Sequence, residues 1–220
     1  MTVDFKARLI SGLKDLHLDL PVHSVERLDV YYTELVKWSK KINLIAKDTS
    51  AEQIIENHFL DSLTLLPFLA GHGTHLLDIG TGAGFPGLAC KAAWPEMAVT
   101  LVEPRVKRVS FLGHIVRTLG LRDVTILTCR IEDEAQLPSE RAFTHITGRA
   151  VTEIGPFLRM VERFAPAGPQ VICMKGPRWR EELAAAVDLM RTSPFKLGPV
   201  VDHVLPFSGA KRSLVVFTSQ

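Results

Sequence analysis

The stretch His75-Leu76-Leu77-Asp78-Ile79-Gly80-Thr81-Gly82-Ala83-Gly84-Phe85-Pro86-Gly87 constrains this chain more than any other. Leu76, Leu77 and Ile79 make the short apolar run of a buried strand. Gly80, Gly82 and Gly84 follow it. Lacking a Cβ, they let the backbone turn sharply and come close to a ligand. Pro86 suits the first position of a helix, where its missing N–H costs nothing. Strand, glycine turn and helix start therefore follow one another directly. Asp78, at the strand end, can brace the turn and touch a ligand.

Two ligands compete for such a loop. Gly82-Ala83-Gly84-Phe85-Pro86-Gly87 fits G-x-G-x-x-G, the dinucleotide pattern. Read from Asp78, however, the loop is Asp-x-Gly-x-Gly-x-Gly, which resembles motif I of the Rossmann-like methyltransferases. The glycines begin at Gly80, right after the strand, so the dinucleotide pattern starts two residues late. S-adenosylmethionine also has no pyrophosphate to hold, and the loop would pack on its methionine and ribose parts. A glycine-rich turn with no ligand is the plain alternative. Ala98–Val102 is the next buried strand, closed by Glu103. Glu103 stands about 20 residues beyond the glycines, where such folds set a carboxylate against ribose hydroxyls. A carboxylate accepts two hydrogen bonds and suits a vicinal diol. The same acid could instead cap the following helix, and both acids would serve NAD equally well.

The 220 residues suit one α/β domain with an added segment. A net charge of +2 permits a nucleic-acid partner only through a local patch. Cys90, Cys129 and Cys173 are scattered, as expected for reduced thiols in the cytoplasm. Lys6, Arg8 and Lys14 interrupt the apolar residues near the N-terminus, so no signal peptide is expected. No apolar run is long enough to span a bilayer, so no membrane partner is expected.

Residues 1–70 read as helical. Phe5, Leu9, Leu13 and Leu16 recur at helical steps, and Ser24 can cap a second helix. Along that helix Leu28, Tyr31, Leu35, Trp38 and Ile42 form an apolar stripe. Lys37, Lys40, Lys41 and Lys47 gather near its end, either for the helix dipole or for phosphates. Ser50-Ala51-Glu52-Gln53 is a capping box. On the helix it starts, His58 and Asp61 share a face. They could be a catalytic pair, a buried hydrogen-bonded pair, or the dock of the helical segment onto the glycine loop.

From residue 71 onward strands and helices alternate, as in a parallel sheet covered on both faces. Further strands are expected at Val124–Leu127, Phe143–Thr147 and Gln170–Met174. Helices are expected from Val106 to Gly120, over Val151–Phe164 and over Trp179–Met190. Lys196–Leu205 and Ser213–Phe217 read as a closing hairpin. A last strand inserted antiparallel is similar to the seven-strand methyltransferase core.

In open α/β sheets ligands sit beyond the C-terminal ends of the strands. Three further segments lie there. In Cys129-Arg130-Ile131-Glu132, Ile131 can pack on an adenine face, and its N–H or the Glu132 carboxylate can reach the base edge. Thr147-Gly148-Arg149-Ala150-Val151 and Met174-Lys175-Gly176 follow the next two strands. Arg149 and Lys175 would flank one cleft. Burying either cation needs a partner, which favours contacts to phosphate or base.

Asn43-Leu44-Ile45, His58 to Leu63, Asp78 to Gly87, Lys107-Arg108, Arg130-Ile131-Glu132, Arg149-Ala150-Val151 and Met174-Lys175-Gly176 occur in the order seen in the glucose-inhibited division protein B family. The chain resembles that family from about residue 30 to its end. The family comprises bacterial 16S ribosomal RNA guanine-N7 methyltransferases. The resemblance implies an α/β, Rossmann-like, seven-stranded S-adenosylmethionine-dependent methyltransferase domain at 71–220. An N-terminal helical extension, 1–70, would pack on it as one structural unit. It also implies methyl transfer to N7 of a guanine in the 530 loop of 16S rRNA, within the small subunit or an assembly intermediate, by a cytoplasmic monomer. Gly80, Phe85, Ile131, Glu132 and Arg149 match the family's cofactor contacts, and Gly148 stands where the family often has Ser. Asp78, Gly82, Gly84 and Glu103 complete the expected cofactor set. Arg149 and Lys175 are the candidate acceptor-site groups, and no metal is expected.

The chemistry agrees with this resemblance. N7 of guanine carries an available lone pair, so no base need deprotonate it and no covalent nucleophile is required. Strand four is not followed by the Asn/Asp-Pro-Pro-aromatic motif of amine methylation, and no cysteine stands where cytosine-C5 chemistry needs one. Phosphate contacts would come from Lys37, Lys40, Lys41, Arg105, Arg108, Lys175, Arg178, Lys211 and Arg212. A NAD-dependent oxidoreductase would need a hydride site, and no Tyr-x-x-x-Lys pair or metal cluster is found. A non-catalytic ribosome-assembly factor and a small-molecule methyltransferase are the remaining alternatives.

Overall fold

The computed structural model describes residues 3–219. The chain begins with helices α1 (Phe5–Asp15) and α2 (Val22–Ser39). A continuous helix, α3 (51–63), has a π-helical centre at Ile55–Leu60. The short α4 (Leu66–Leu69) leads to β1 (His75–Ile79). Then come α5 (Gly87–Ala93), β2 (Ala98–Val102), α6 (Val106–Thr118) and β3 (Val124–Leu127). After them follow β4 (His145–Arg149), α7 (Ile154–Val161) with a 3₁₀ turn at Glu162–Ala167, and β5 (Gln170–Lys175). Helices α8 (Trp179–Ala185) and α9 (Val187–Thr192) precede the hairpin β6 (Phe195–Val204) and β7 (Lys211–Ser219).

All seven strands form one sheet in the order β3-β2-β1-β4-β5-β7-β6. The first five are parallel, and β7 runs antiparallel between β5 and β6. Successive strand side chains go to opposite faces, as a pleated backbone requires. Leu76, Ile172, Met174 and Val216 join a core with α1, α2, α3, α5 and α6. Leu77, Val171, Cys173 and Val215 join another with α7 and its 3₁₀ turn.

Local choices differ from sequence expectation in several places. Ser24 does not cap α2, because Pro21 precedes the helix. The Ser24 hydroxyl is buried and donates to Ala93 O at 2.7 Å. A tertiary hydrogen bond has won over the cap. Helix α2 ends at Ser39, whose hydroxyl bonds back to Leu35 O, so Ile42 lies beyond the helix while still packing on its core. Pro86 stands at the N-cap of α5 rather than inside it. Strand β4 is shifted two residues onward. Gly148 and Arg149 pair with Cys173 and Met174, while Phe143 packs edge-on to His75 and Phe164 ahead of the strand. Helix α7 starts three residues late because Ala150 takes a left-handed φ of 55° and 150–153 form a turn. The expected helix over 179–190 is broken at Ala186, whose Cβ meets Gly155 of α7 at the crossing. The Ser50–Gln53 capping box forms as expected.

Helix α2 reaches the glycine loop through Tyr31. Its buried hydroxyl donates to Ala83 O at 2.5 Å, and its ring stacks on Phe85 at 5.5 Å. Burial, with Asp78 nearby, raises its ionisation well above the usual range, so the hydroxyl remains a donor. Gly84 is the counterpart of this contact. It has φ 96°, and a Cβ there would lie 2.1 Å from Tyr31 Oη and 2.9 Å from Leu88 Cβ. Gly84→Ala should therefore cost about 2–4 kcal/mol of stability, and Tyr31→Phe about 1 kcal/mol. In urea denaturation the double variant should recover at least ~0.5 kcal/mol of the sum, because removing the hydroxyl frees the space the methyl needs. Strict additivity would mean that Tyr31 is not what excludes the side chain.

Candidate active site

The sheet order fixes the layout of the site. Strand order reverses between β1 and β4, and the loops leaving their C-terminal ends part there to open a crevice. A cleft of about 930 Å³ occupies this place. It is lined by Gly80–Ala83 and Phe85, by Arg149–Glu153, and by Met174–Gly176. His58 and Asp61 of α3 and His203 and Arg212 of the hairpin complete it.

The glycine loop is held from several directions. Asp78 is fully buried. Its Oδ2 accepts from Thr81 Oγ1 at 2.6 Å and from Gly87 N at 2.7 Å, so it ties the strand end to the start of α5. Burial pushes its carboxyl up to about 6, against the Thr81 and Gly87 hydrogen bonds. Glu103 Oε2 accepts from Gly82 N at 3.0 Å, and Oε1 from Arg105 N at 2.9 Å. This acid thus joins the loop to the end of β2 and also meets the approach to α6. Gly80 and Gly82 have φ of 66° and 62°, and a Cβ on Gly80 would press on Val151 at 3.1 Å. Gly84 faces the core, where its role is close packing against α2.

The expected residues are distributed along the sheet edge. Gly80, Gly82, Phe85, Arg149 and Lys175 line the cleft. Glu103, Ile131 and Glu132 lie outside it, after β2 and β3. Ile131 is buried, with its carbonyl accepting from Arg163, whereas Glu132 is exposed. With strands about 4.8 Å apart, the order β3-β2-β1-β4-β5 sets Ile131, Glu103, the glycine loop, Arg149 and Lys175 in sequence along one edge. A nucleoside joined to an amino acid is elongated, and this edge matches it. It has an apolar residue at one end, an acid with spare lone pairs next, and then a cradle without Cβ atoms. These residues fit S-adenosylmethionine.

Both cations at the strand ends have partners inside the protein. Lys175 Nζ lies 2.7 Å from Glu182 Oε2 and donates to Thr152 O at 2.7 Å. Arg149 Nη1 donates to Asn57 O at 2.5 Å and to Asp61 Oδ2 at 3.1 Å, while Nη2 reaches His58 Nδ1 at 3.1 Å. These contacts dock the helical segment through His58 and Asp61, but onto Arg149 at the end of β4 rather than onto the glycine loop, which His58 meets only with its ring, 5.1 Å from Phe85. The π-helical turn is the device, since the carbonyls of Asn57 and His58 both accept side-chain donors there. Asn57 and His203 are not among the residues the sequence singles out, and Arg212, expected as a phosphate contact, stands 3.7 Å from Asp61 inside the site. A backbone carbonyl leaves no sequence signal, and the other two reach the site only through the hairpin. Gly148 also has a packing reason, because a Cβ there would meet Phe157 at 2.7 Å.

A guanidinium can only donate, so Nδ1 of His58 accepts and the ring is neutral with its proton on Nε2. Burial first and the Arg149 charge second lower its pKa to about 4, against the opposing pull of Asp61. In the unfolded chain the ring titrates near 6.5, so between that pH and about 4 the unfolded state binds a proton that the folded state refuses. Stability from this group is therefore lost as pH falls through that window. Nitrogen-15 NMR should show the His58 ring neutral at pH 5 and titrating at about 4. A midpoint near 6.5 would mean that Arg149 does not hold the ring.

Cofactor-bound Rv0187 from MTB superposes with a TM-score of 0.60 at 16% identity, covering 87% of this chain and 88% of its own. The ribosomal protein L11 methylase of Lactobacillus delbrueckii subsp. bulgaricus gives 0.56 at 12% identity, covering 74% and 79%. At such identities the likeness speaks for the fold alone, the Rossmann-like methyltransferase sheet. Sequence relatives go further. The ribosomal RNA small subunit methyltransferase G of Desulfotalea psychrophila is 52% identical over 216 residues, 98% of this chain and 99% of that protein. Residues 24–214 match the family model described as rRNA small subunit methyltransferase G, GidB. The chain thus belongs to the rRNA small subunit methyltransferase G family, and S-adenosylmethionine is its cofactor.

Proposed function

We propose that this chain transfers the methyl group of S-adenosylmethionine to N7 of a guanine in the 530 loop of 16S ribosomal RNA. The substrate is the small subunit or an assembly intermediate, met by a monomer in the cytoplasm. One observation carries this reading: among the described residues the cleft joins a glycine cradle to two strand ends and holds no poised nucleophile, while His58 and Glu182, which could serve as general bases, are engaged by partners inside the protein. His58 Nδ1 is engaged by Arg149, and Glu182 is paired with Lys175. Burial raises all three cysteine thiols, Cys173 to about 12, so none supplies a thiolate. Methylation at carbon or at an amine would need such a group, whereas N7 of guanine presents its own lone pair.

When bound, S-adenosylmethionine supplies a methyl group on a sulfonium, open to in-line displacement. This chain's own residues place the two reactants. Gly80 and Gly82 admit the methionine part closely, and Glu103 and Ile131 receive the ribose and the adenine. Arg149 is a positioning residue, fixing the β4 turn and α3 as the far wall. Holding reactants in line can lower a barrier by roughly 7–11 kcal/mol without any proton transfer. N7 lies in the deep groove of A-form RNA, so the guanine must be unpaired or splayed out to enter. The exposed Lys40, Lys41, Arg105, Arg178 and Lys211 are available for phosphates. Binding should then weaken steeply with salt, which separates RNA from a small-molecule acceptor.

The test is methyl transfer from labelled S-adenosylmethionine to small subunits from a strain lacking the gene, with the modified base mapped. Label should appear on one guanine N7. Arg149→Ala should label at least ~100-fold more slowly, as expected when positioning is lost. It should also unfold more readily, towards the low end of the about 3–5 kcal/mol typical of breaking a buried pair, because Arg212 remains 3.7 Å from Asp61. Label on another atom, or none on subunits or precursor RNA, would overturn the reading.

A further inference from the structure

Positioning N7 does not by itself select guanine, because adenine carries the same atom. Two buried polar atoms that the docking contacts leave over bear on this choice. Asp61 Oδ2 is taken by Arg149, but Asp61 Oδ1 is buried with no hydrogen bond. His203 Nε2 is also buried without a partner. The two atoms are 3.9 Å apart, and Arg212 Nε is 3.7 Å from the same Oδ1. These separations are too long for hydrogen bonds. Both residues line the cleft. Buried polar atoms left unpaired are costly and call for an occupant.

We propose that Asp61 Oδ1 and His203 Nε2 form a two-point receptor for the Watson–Crick edge of the acceptor guanine, Oδ1 accepting from N1–H and Nε2–H donating to O6. This rests on the guanine-N7 reading above and adds the means of base selection. O6 and N1–H are neighbours on guanine, and a side-by-side donor and acceptor match them. Adenine presents the reverse, an amino donor at position 6 and a bare N1 acceptor, so both contacts fail together. Enzymes that act on an extruded base commonly read this edge. Asp61 is held as an acceptor. Burial raises its carboxyl, but His203, Arg149 and Arg212 outweigh that and keep it below the usual range. His203 and Arg212 are direct cross-strand partners in the β6–β7 hairpin, so the hairpin sets the ring opposite α3. The receptor is therefore built from the helical segment and the hairpin, leaving the glycine loop for the cofactor.

The experiment replaces the target guanosine in the RNA with analogues and maps methylation by wild-type enzyme. Inosine keeps O6 and N1–H while losing the 2-amino group, and should react within about threefold of guanosine. 2-Aminopurine and adenosine keep N7 but lose both readout atoms, and should react at least about 100-fold more slowly, as a site built for hydrogen bonds rejects an analogue lacking them. Asp61→Asn can still accept from Arg149 while turning an amide donor to the base. It should reduce the guanosine-to-adenosine preference at least about tenfold, roughly the value of one such contact, with cofactor Kd unchanged. Rejection of inosine or acceptance of 2-aminopurine would overturn the proposal. So would an Asp61→Asn enzyme that slows both bases equally, which means docking only. Loss of cofactor affinity in that variant would instead assign Asp61 to the cofactor's ammonium group. A wild-type product that is not N7-methylguanosine would fail the parent reading at the first step, before any analogue is compared.

Discussion

The partly buried guanidinium of Arg149 is the contact on which the site's architecture depends. A cation at the end of a central strand is costly to desolvate unless its donors are satisfied. Here they go to one backbone carbonyl, one carboxylate and one imidazole, all on the same helix. The planar fork meets all three from one position, which a lysine ammonium cannot reproduce. The consequence reaches beyond the pair. The C-terminal end of β4 can keep its charge only while α3 is docked, so the far wall of the cleft and the helical segment form together.

A second set of ties acts in the same sense. Glu56 on α3 is buried, and its Oε1 accepts from Phe207 N at 2.6 Å and Ser208 N at 2.8 Å in the β6–β7 turn. Arg8 of α1 pairs with Glu52 and stacks its guanidinium 3.5 Å over the Phe207 ring. Tyr31 of α2 holds the glycine loop. The N-terminal helices thus touch the glycine loop, the β4 turn and the hairpin, three elements far apart in sequence. Ordinary apolar burial covers one sheet face, while these directional bonds fix which loops stand opposite one another.

This division explains what the sequence disclosed. Strands β1, β2, β3 and β5 are legible as apolar runs, β1 ended by glycine and β2 by an acid, and Gly120, with its left-handed φ of 61°, stands past the end of its helix. The sheet edge followed, because topology alone decides which loops face a ligand. β4 lies two residues beyond its expected place, since Gly148-Arg149 has no strand character of its own and is extended by pairing with β5. The π-helical turn leaves no sequence signal either, and its Asn57 carbonyl accepts from Arg149, 92 residues away. Arg149 and Lys175 were recognised as cations in need of partners. Which partners they took depended on contacts between distant segments, and these leave no local pattern.

An acceptor that needs no activation changes what a fold must supply. Where a proton must be removed, a loosely held base can still work, because proton transfer tolerates some play. Displacement at a methyl group requires nucleophile, carbon and leaving sulfur in line, and small misplacement is costly. The ties described here restrain the elements that set that line. Asp78 and Glu103 fix the glycine loop from below, Tyr31 fixes it from the side, and Arg149 fixes the opposing wall. In the cleft Arg149, Lys175, His58 and Glu182 are already hydrogen-bonded or paired, whereas Asp61 Oδ1 and His203 Nε2 are left without a hydrogen bond. On the proposed N7 reading, this network of restraints is the protein's contribution to aligning methyl donor and acceptor.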